Sequence, residues 1–157
     1  MITISNRIDK PVTGNDYNNI PVGQNIVIDN FVDETDKNDG SVIAKHITNP
    51  INLLNDAVGL KIILQANRPN EASIDVYYKT AAGSDLLDDK PYVKATLEDA
   101  IPADADKTIF REYNYLVGGL TGTLDPFTSF SIKIVMTSTN SSKVPTIKDL
   151  RAIALAV

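Results

Sequence analysis

The chain has no cysteine, no tryptophan, one histidine and two methionines in 157 residues. Without cysteine there is no disulfide, no thiolate nucleophile and no Cys-ligated zinc. A histidine-based triad or metal site would have to run through His46, which lies in a strand-like stretch with no ligand spacing around it. A surface or interface histidine is expected there. No segment approaches the roughly 20 apolar residues that a membrane-crossing helix needs. The opening residues Met1-Ile2-Thr3-Ile4-Ser5-Asn6-Arg7 turn polar too soon to read as a signal peptide. Clustered basic charge is missing as well. The 15 Lys and Arg residues are scattered among 20 Asp and Glu, for a net charge of −5, which argues against a nucleic-acid partner. There is no internal repeat and no low-complexity tract.

What is present is alternation. Hydrophobic residues make up 43% of the chain, enough for one domain with a substantial core. The clearest strand is Phe127 to Met136. Phe130, Ile132, Ile134 and Met136 share one face, and Ser129, Ser131, Lys133 and Thr137 share the other, with Val135 the only apolar residue among them. This period of two belongs to a half-buried strand. Leu60 to Ala66 and Ser73 to Lys79 also alternate, and the short turn Arg68-Pro69-Asn70-Glu71 between them predicts an antiparallel hairpin. Further strands are expected at residues 2–5, 25–30, 42–48, 91–95, 108–117 and 144–155. Residues 51–58, bounded by Pro50 and Gly59, read as extended. In the final stretch the parity slips, so either both faces are buried or a bulge near Asp149 shifts the register. Residues 96–107 form a surface excursion with room for a helical turn. Eight to ten short strands without a long helix predict an all-β sandwich. The expected division is a loop-rich N-terminal arm at 1–40, with Asn, Asp, Pro and Gly throughout, and a β-sandwich domain at 41–157.

Chemistry-bearing residues are sparse. Asp33-Glu34-Thr35-Asp36-Lys37-Asn38-Asp39-Gly40 has oxygen donors of the kind calcium uses but not the EF-hand spacing, and Asp85, Asp88 and Asp89 are equally generic; solvated loops are the simpler reading. No carboxylate pair stands out for glycoside hydrolysis. Gly118-Gly119-Leu120-Thr121-Gly122 lacks the ending of a phosphate loop. Asp149 and Arg151, two apart on a strand, share a face and are expected to pair weakly. Tyr77, Tyr78, Tyr92, Tyr113 and Tyr115 lie on or near strands. They suit a core, a protein interface or a sugar contact, the last weakened by the lack of tryptophan. No catalytic residue, metal or cofactor is expected.

Several stretches, in order, resemble a module of structural proteins of tailed-phage virions: Ser73 to Lys79, Phe110 to Tyr115, Phe130 to Met136, Ser138-Thr139-Asn140-Ser141 and Val144 to Leu155. The module is associated with large tail and baseplate proteins of T4-like phages, including those of marine cyanobacteria. His46-Ile47-Thr48-Asn49-Pro50 is similar to its first strand, where Tyr-Ile-Thr-Lys-Pro is more usual. The resemblance spans roughly residues 42 to 155. It implies a jelly-roll-like antiparallel β-sandwich, made in the host cytoplasm and packed into a virion. The partners it implies are other virion proteins, with homo-oligomerisation inside the assembly and no nucleic acid or membrane. The expected contacts are Ile4, Val22, Ile26 and Phe31 on the arm, and Tyr77, Tyr113 and Tyr115 on the sandwich. The alternative is a carbohydrate-binding module that recognises a receptor glycan.

Overall fold

The computed structural model describes residues 32–118 and 124–156. They are all-β. The strands are β1 (Lys45–Ile47), β2 (Ile51–Asn67), β3 (Ala72–Ala81), β4 (Val93–Lys94), β5 (Arg111–Gly118), β6 (Phe127–Ser138) and β7 (Thr146–Ala156), joined in one antiparallel, curled sheet. Residues 96–107 contain no helical turn; a short 3-10 turn falls instead at Leu87–Asp89. The expected strands at 2–5 and 25–30 lie outside the described residues.

β2 is the spine. It begins directly after Pro50, is not interrupted by Gly59, and runs for 17 residues. Its first residues, Ile51 and Asn52, pair with Phe130 and Ser129 of β6. The register then slips before Ala57, and from Gly59 onward β2 lies between β5 and β7. A bend in one strand therefore carries the sheet from one layer to the next. The first layer is β4-β3-β6 with β1 and the start of β2 beside β6. The second is β5-β2-β7. Between them lies the core, with Leu60, Ile62, Leu64, Tyr113 and Tyr115 of one layer packed with Val76, Phe130, Ile132 and Ile134 of the other.

Two expectations need correction. β2 and β3 are not a hairpin. Both edges of the second half of β2 are taken by β5 and β7, so β3 crosses to the other layer and pairs with β6 in full register from Ala72↔Ser138 to Ala81↔Ser129. Arg68-Pro69-Asn70-Glu71 is an arch between layers. Nor is β6 half-buried, since Ser131, Lys133 and Val135 on its polar-looking face are as buried as Phe130, Ile132 and Ile134 on the other. Something covers the outside of the first layer, as described below.

The parity slip near the C-terminal end is a bulge. Gln65 pairs with Asp149 and Ala66 with Ile147, leaving Lys148 without a counterpart. Ile147, Leu150, Ala152 and Ala154 consequently all pack against the core, and Asp149, Arg151 and Ile153 point away. At the far end of β5, Gly118 has φ +68°, and a Cβ there would stand 2.5 Å from the carbonyl oxygen of Val58. Only glycine lets β5 turn this close to β2.

Candidate functional site

The cover on the first layer is the acidic segment 33–40. Thr35 O accepts from Tyr92 N at 2.9 Å. Lys133, fully buried in the middle of β6, donates to the carbonyl oxygens of Glu34 and Asp39, and its ammonium lies 3.4 Å from Glu34 Oε2. Lys45 Nζ donates to Asp39 O at 2.6 Å and Gly40 O at 3.0 Å. Asp39 and Gly40 both take positive φ, and a side chain at Gly40 would collide with the Glu34 carboxylate. The Glu34 carboxylate and the carbonyl oxygens of Glu34, Asp39 and Gly40 thus face two lysines of the chain's own body, while the Asp33 and Asp36 carboxylates accept from Thr35 N and Asn38 N. Residues 32–40 belong to the folded body for this reason; only the rest of the expected arm lies outside the described residues. No group of three or more His, Cys, Asp or Glu side chains among the described residues is placed to hold a metal.

Tyr92 and Tyr77 wall in the same ammonium, with ring centres 4.1 Å and 5.2 Å from Lys133 Nζ. Lys79, also buried, holds its Nζ 4.7 Å from the centre of Tyr92 and 3.9 Å from Asp88 Oδ1. Burial pushes the Lys133 ammonium below the usual lysine range, and the Glu34 carboxylate works against that shift.

The expected sandwich contacts also require correction. Tyr77, Tyr113 and Tyr115 are all buried in the chain's own core, as are Tyr78 and Tyr92. Their rings pack inside the fold, and none of the five presents an exposed face for stacking. The expected contacts Ile4, Val22, Ile26 and Phe31 lie outside the described residues. His46 is exposed on β1 and lines the trough described next. Asp149 and Arg151 do pair, at 3.1 Å, and Arg151 also meets Glu112 at 2.9 Å; all three side chains are about half exposed.

The surface feature that sequence reasoning missed is an apolar trough between the layers. On one side the crossing segment 93–98 nearly joins β3 to β5. On the other side, between β7 and the line of β1 with the start of β2, the layers stay apart. Two hollows of about 430 and 340 Å³ lie along this gap and share Leu150. The first is floored by Ile134, Met136 and Ile147, the second by Leu53, Phe130, Ile132 and Ala152. Among the described residues β7 pairs with β2 alone, so its other edge carries free backbone donors and acceptors. Leu54, at the β2 bend next to Leu53, is 97% exposed. The sequence shows each of these residues, but not that β2 bends and leaves β7 on an edge. Comparison with protein-family models, with curated proteins and with solved structures finds no match for this chain.

Proposed function

We propose that the chain is a structural protein of a tailed-phage virion, a component of the tail or baseplate, that acts by protein–protein contact without turnover. Two things support this reading: the sequence resemblance along residues 42 to 155, and the trough beside β7. The trough is the observation that carries it. An edge strand with unpaired backbone groups beside a continuous apolar floor fits strand addition, in which main-chain bonds supply affinity and alternate side chains fill the hollows. The occupant we propose is the N-terminal segment of a neighbouring copy, in whose sequence Ile26 and Ile28 stand two apart. Repetition of such contacts around a symmetric assembly multiplies their strength. Stacking of a sugar on an exposed aromatic ring gains no support, because all five described tyrosines are buried.

Light scattering on the full chain and on a chain lacking residues 1–31 tests the proposal. The expected result is a defined oligomer that dissociates on truncation, and that is also weakened by Leu54→Lys without loss of thermal stability. A monomer for the full chain at high micromolar concentration, with no binding to other tail proteins, would overturn it. The cut belongs at 31, because removing residues 32–40 as well strips Lys133 of its partners and unfolds the cover on the first layer.

A further inference from the structure

The second seam of the sheet holds a different feature, independent of the trough. The segment 93–98 hangs between the layers: Ala95 N donates to Val76 O at 2.8 Å, and Glu98 N donates to Asn114 O at 2.8 Å. Beside this crossing, Ser73–Asp75 of β3 and Arg111–Tyr113 of β5 have no strand on their outer sides among the described residues. A cleft of about 430 Å³ opens there.

One group in its wall lacks a counter-ion and another lacks a hydrogen-bond partner. Arg68, on the arch, donates from Nη2 to Ile101 O at 2.6 Å. No carboxylate of the described residues comes within ion-pair distance of its guanidinium, whereas Arg111 has Asp104 at 2.6 Å and Arg151 has both Glu112 and Asp149. Its backbone is anchored, because Arg68 N donates to Asp104 Oδ2 at 2.9 Å. Tyr113, 2% exposed, lines the same cleft, and its buried hydroxyl has no hydrogen-bond partner. Buried polar groups are seldom left so, and each instance calls for an explanation.

The neighbouring charges sum to one positive. Asp75 and Lys94 cancel each other at 2.8 Å, and Asp104 is matched by Arg111, leaving Arg68. Burial first, and then the Asp75 carboxylate, hold the Tyr115 phenol well above its ordinary range, so it remains an O–H donor. The wall therefore presents donors and a net positive charge to anything that enters.

We propose that this cleft binds a carboxylate, taken by the planar fork of Arg68 and reached by the Tyr113 hydroxyl after a small shift of its ring. A guanidinium matches a carboxylate with two parallel N–H···O bonds, and a single uncompensated charge suits a monoanion better than phosphate. The volume admits an acidic side chain with its flanking peptide groups, or one acidic sugar. Both present the same chemistry, and the experiment separates them.

The full chain is titrated with N-acetyl-glutamate N-methylamide, with glucuronate, with glucose and with inorganic phosphate, and backbone amide signals are followed by NMR. The expected result is saturable shifts confined to Arg68, Ser73–Val76 and Tyr113 with one or both carboxylates and not with glucose. The tighter of the two carboxylates identifies a protein or a glycan source. Arg68→Gln should weaken binding about tenfold or more, as loss of a charged, bidentate partner does. Tyr113→Phe removes a hydroxyl that has no partner in the free protein, so it should keep the fold intact and still weaken binding several-fold. No saturable shift with either carboxylate, unchanged binding in both variants, or tighter binding of phosphate would overturn the proposal.

Discussion

Glu34 and Lys133 meet across 99 residues of sequence, with the Lys133 ammonium held by the Glu34 backbone oxygen and 3.4 Å from its carboxylate. Both side chains are out of water. This pairing fastens the acidic segment over the first layer and makes both faces of β6 interior. Two charges placed there cost solvation, and the rings of Tyr77 and Tyr92 and two carbonyl oxygens offset part of that cost for Lys133.

Breaking the pair from one side should be far worse than removing it whole. Lys133→Met leaves the Glu34 carboxylate buried without a counterion and should destabilise the chain by about 3–5 kcal/mol. Adding Glu34→Gln should recover a large part of that loss. Urea denaturation of the two single variants and the double variant provides the cycle. If the losses simply add, the two residues are not coupled as described.

Stability should also crest on the alkaline side. Because the folded protein holds Lys133 below its ordinary pKa of 10.5, the unfolded chain binds the extra proton between the two values. Stability contributed by this residue therefore rises with pH through that window. Tyr77, Tyr78, Tyr92 and Tyr115 act in the opposite sense. Burial holds each phenol above its ordinary value near 10, so from about pH 10 upward the unfolded chain loses protons that the folded chain keeps, and stability falls. Denaturation midpoints between about pH 8 and 11.5 should show a gentle climb and then a steep drop. Lys133→Met should abolish the climb and leave the drop. Tyrosinate absorbance that develops in full before unfolding would contradict the assignment.

Gly118→Ala should be costly for a residue at the end of a strand. The positive φ alone costs about 1–3 kcal/mol for a residue with a side chain. The 2.5 Å approach of the new Cβ to Val58 O adds to this, since the atom it meets is backbone and cannot swing aside. A calorimetric melt should show a clearly lowered transition. An unchanged transition would mean that β5 and β2 part more easily than their register implies.

The all-β character was legible because apolar residues at period two are required by a strand with one face in a core. β6 and β3 were visible on that ground; the parity slip between Ile147 and Leu150 was visible too, but it fitted a bulge or two buried faces alike, and the pairing with β2 decides for the bulge. The partners of those strands were not legible. A short Pro-containing turn at Arg68 to Glu71 is compatible with a hairpin and with an arch alike; what decides is that β5 and β7, far along the chain, already occupy both edges of β2. Lys133 was invisible for a related reason. A lysine alternating with serines reads as a solvent position, and only the fold of residues 33–40 shows that it is a buried cation. The tyrosines suited a core, an interface or a sugar contact alike in sequence, and the fold uses all five rings for packing, including the three expected as contacts. The cleft around Arg68 combines an arch, a crossing segment and two strands, none of them adjacent in sequence.

The bend in β2 has a consequence for how the chain reaches this state. Ala57 touches Phe127 and Ala156, and Leu64 touches Tyr113 and Leu150, so the central strand has no neighbour close by in sequence. Each of its pairings closes a loop of tens of residues before any bond is formed, which places folding on the order of milliseconds to seconds for a β topology of this kind. A fragment ending before β6 would keep β5 beside β2 but leave β3 without its full-length partner and the other edge of β2 bare. Because β2 belongs to both layers of this one sheet, no cut through the chain yields two halves that could each bury a core, and the layers are inseparable as folding units.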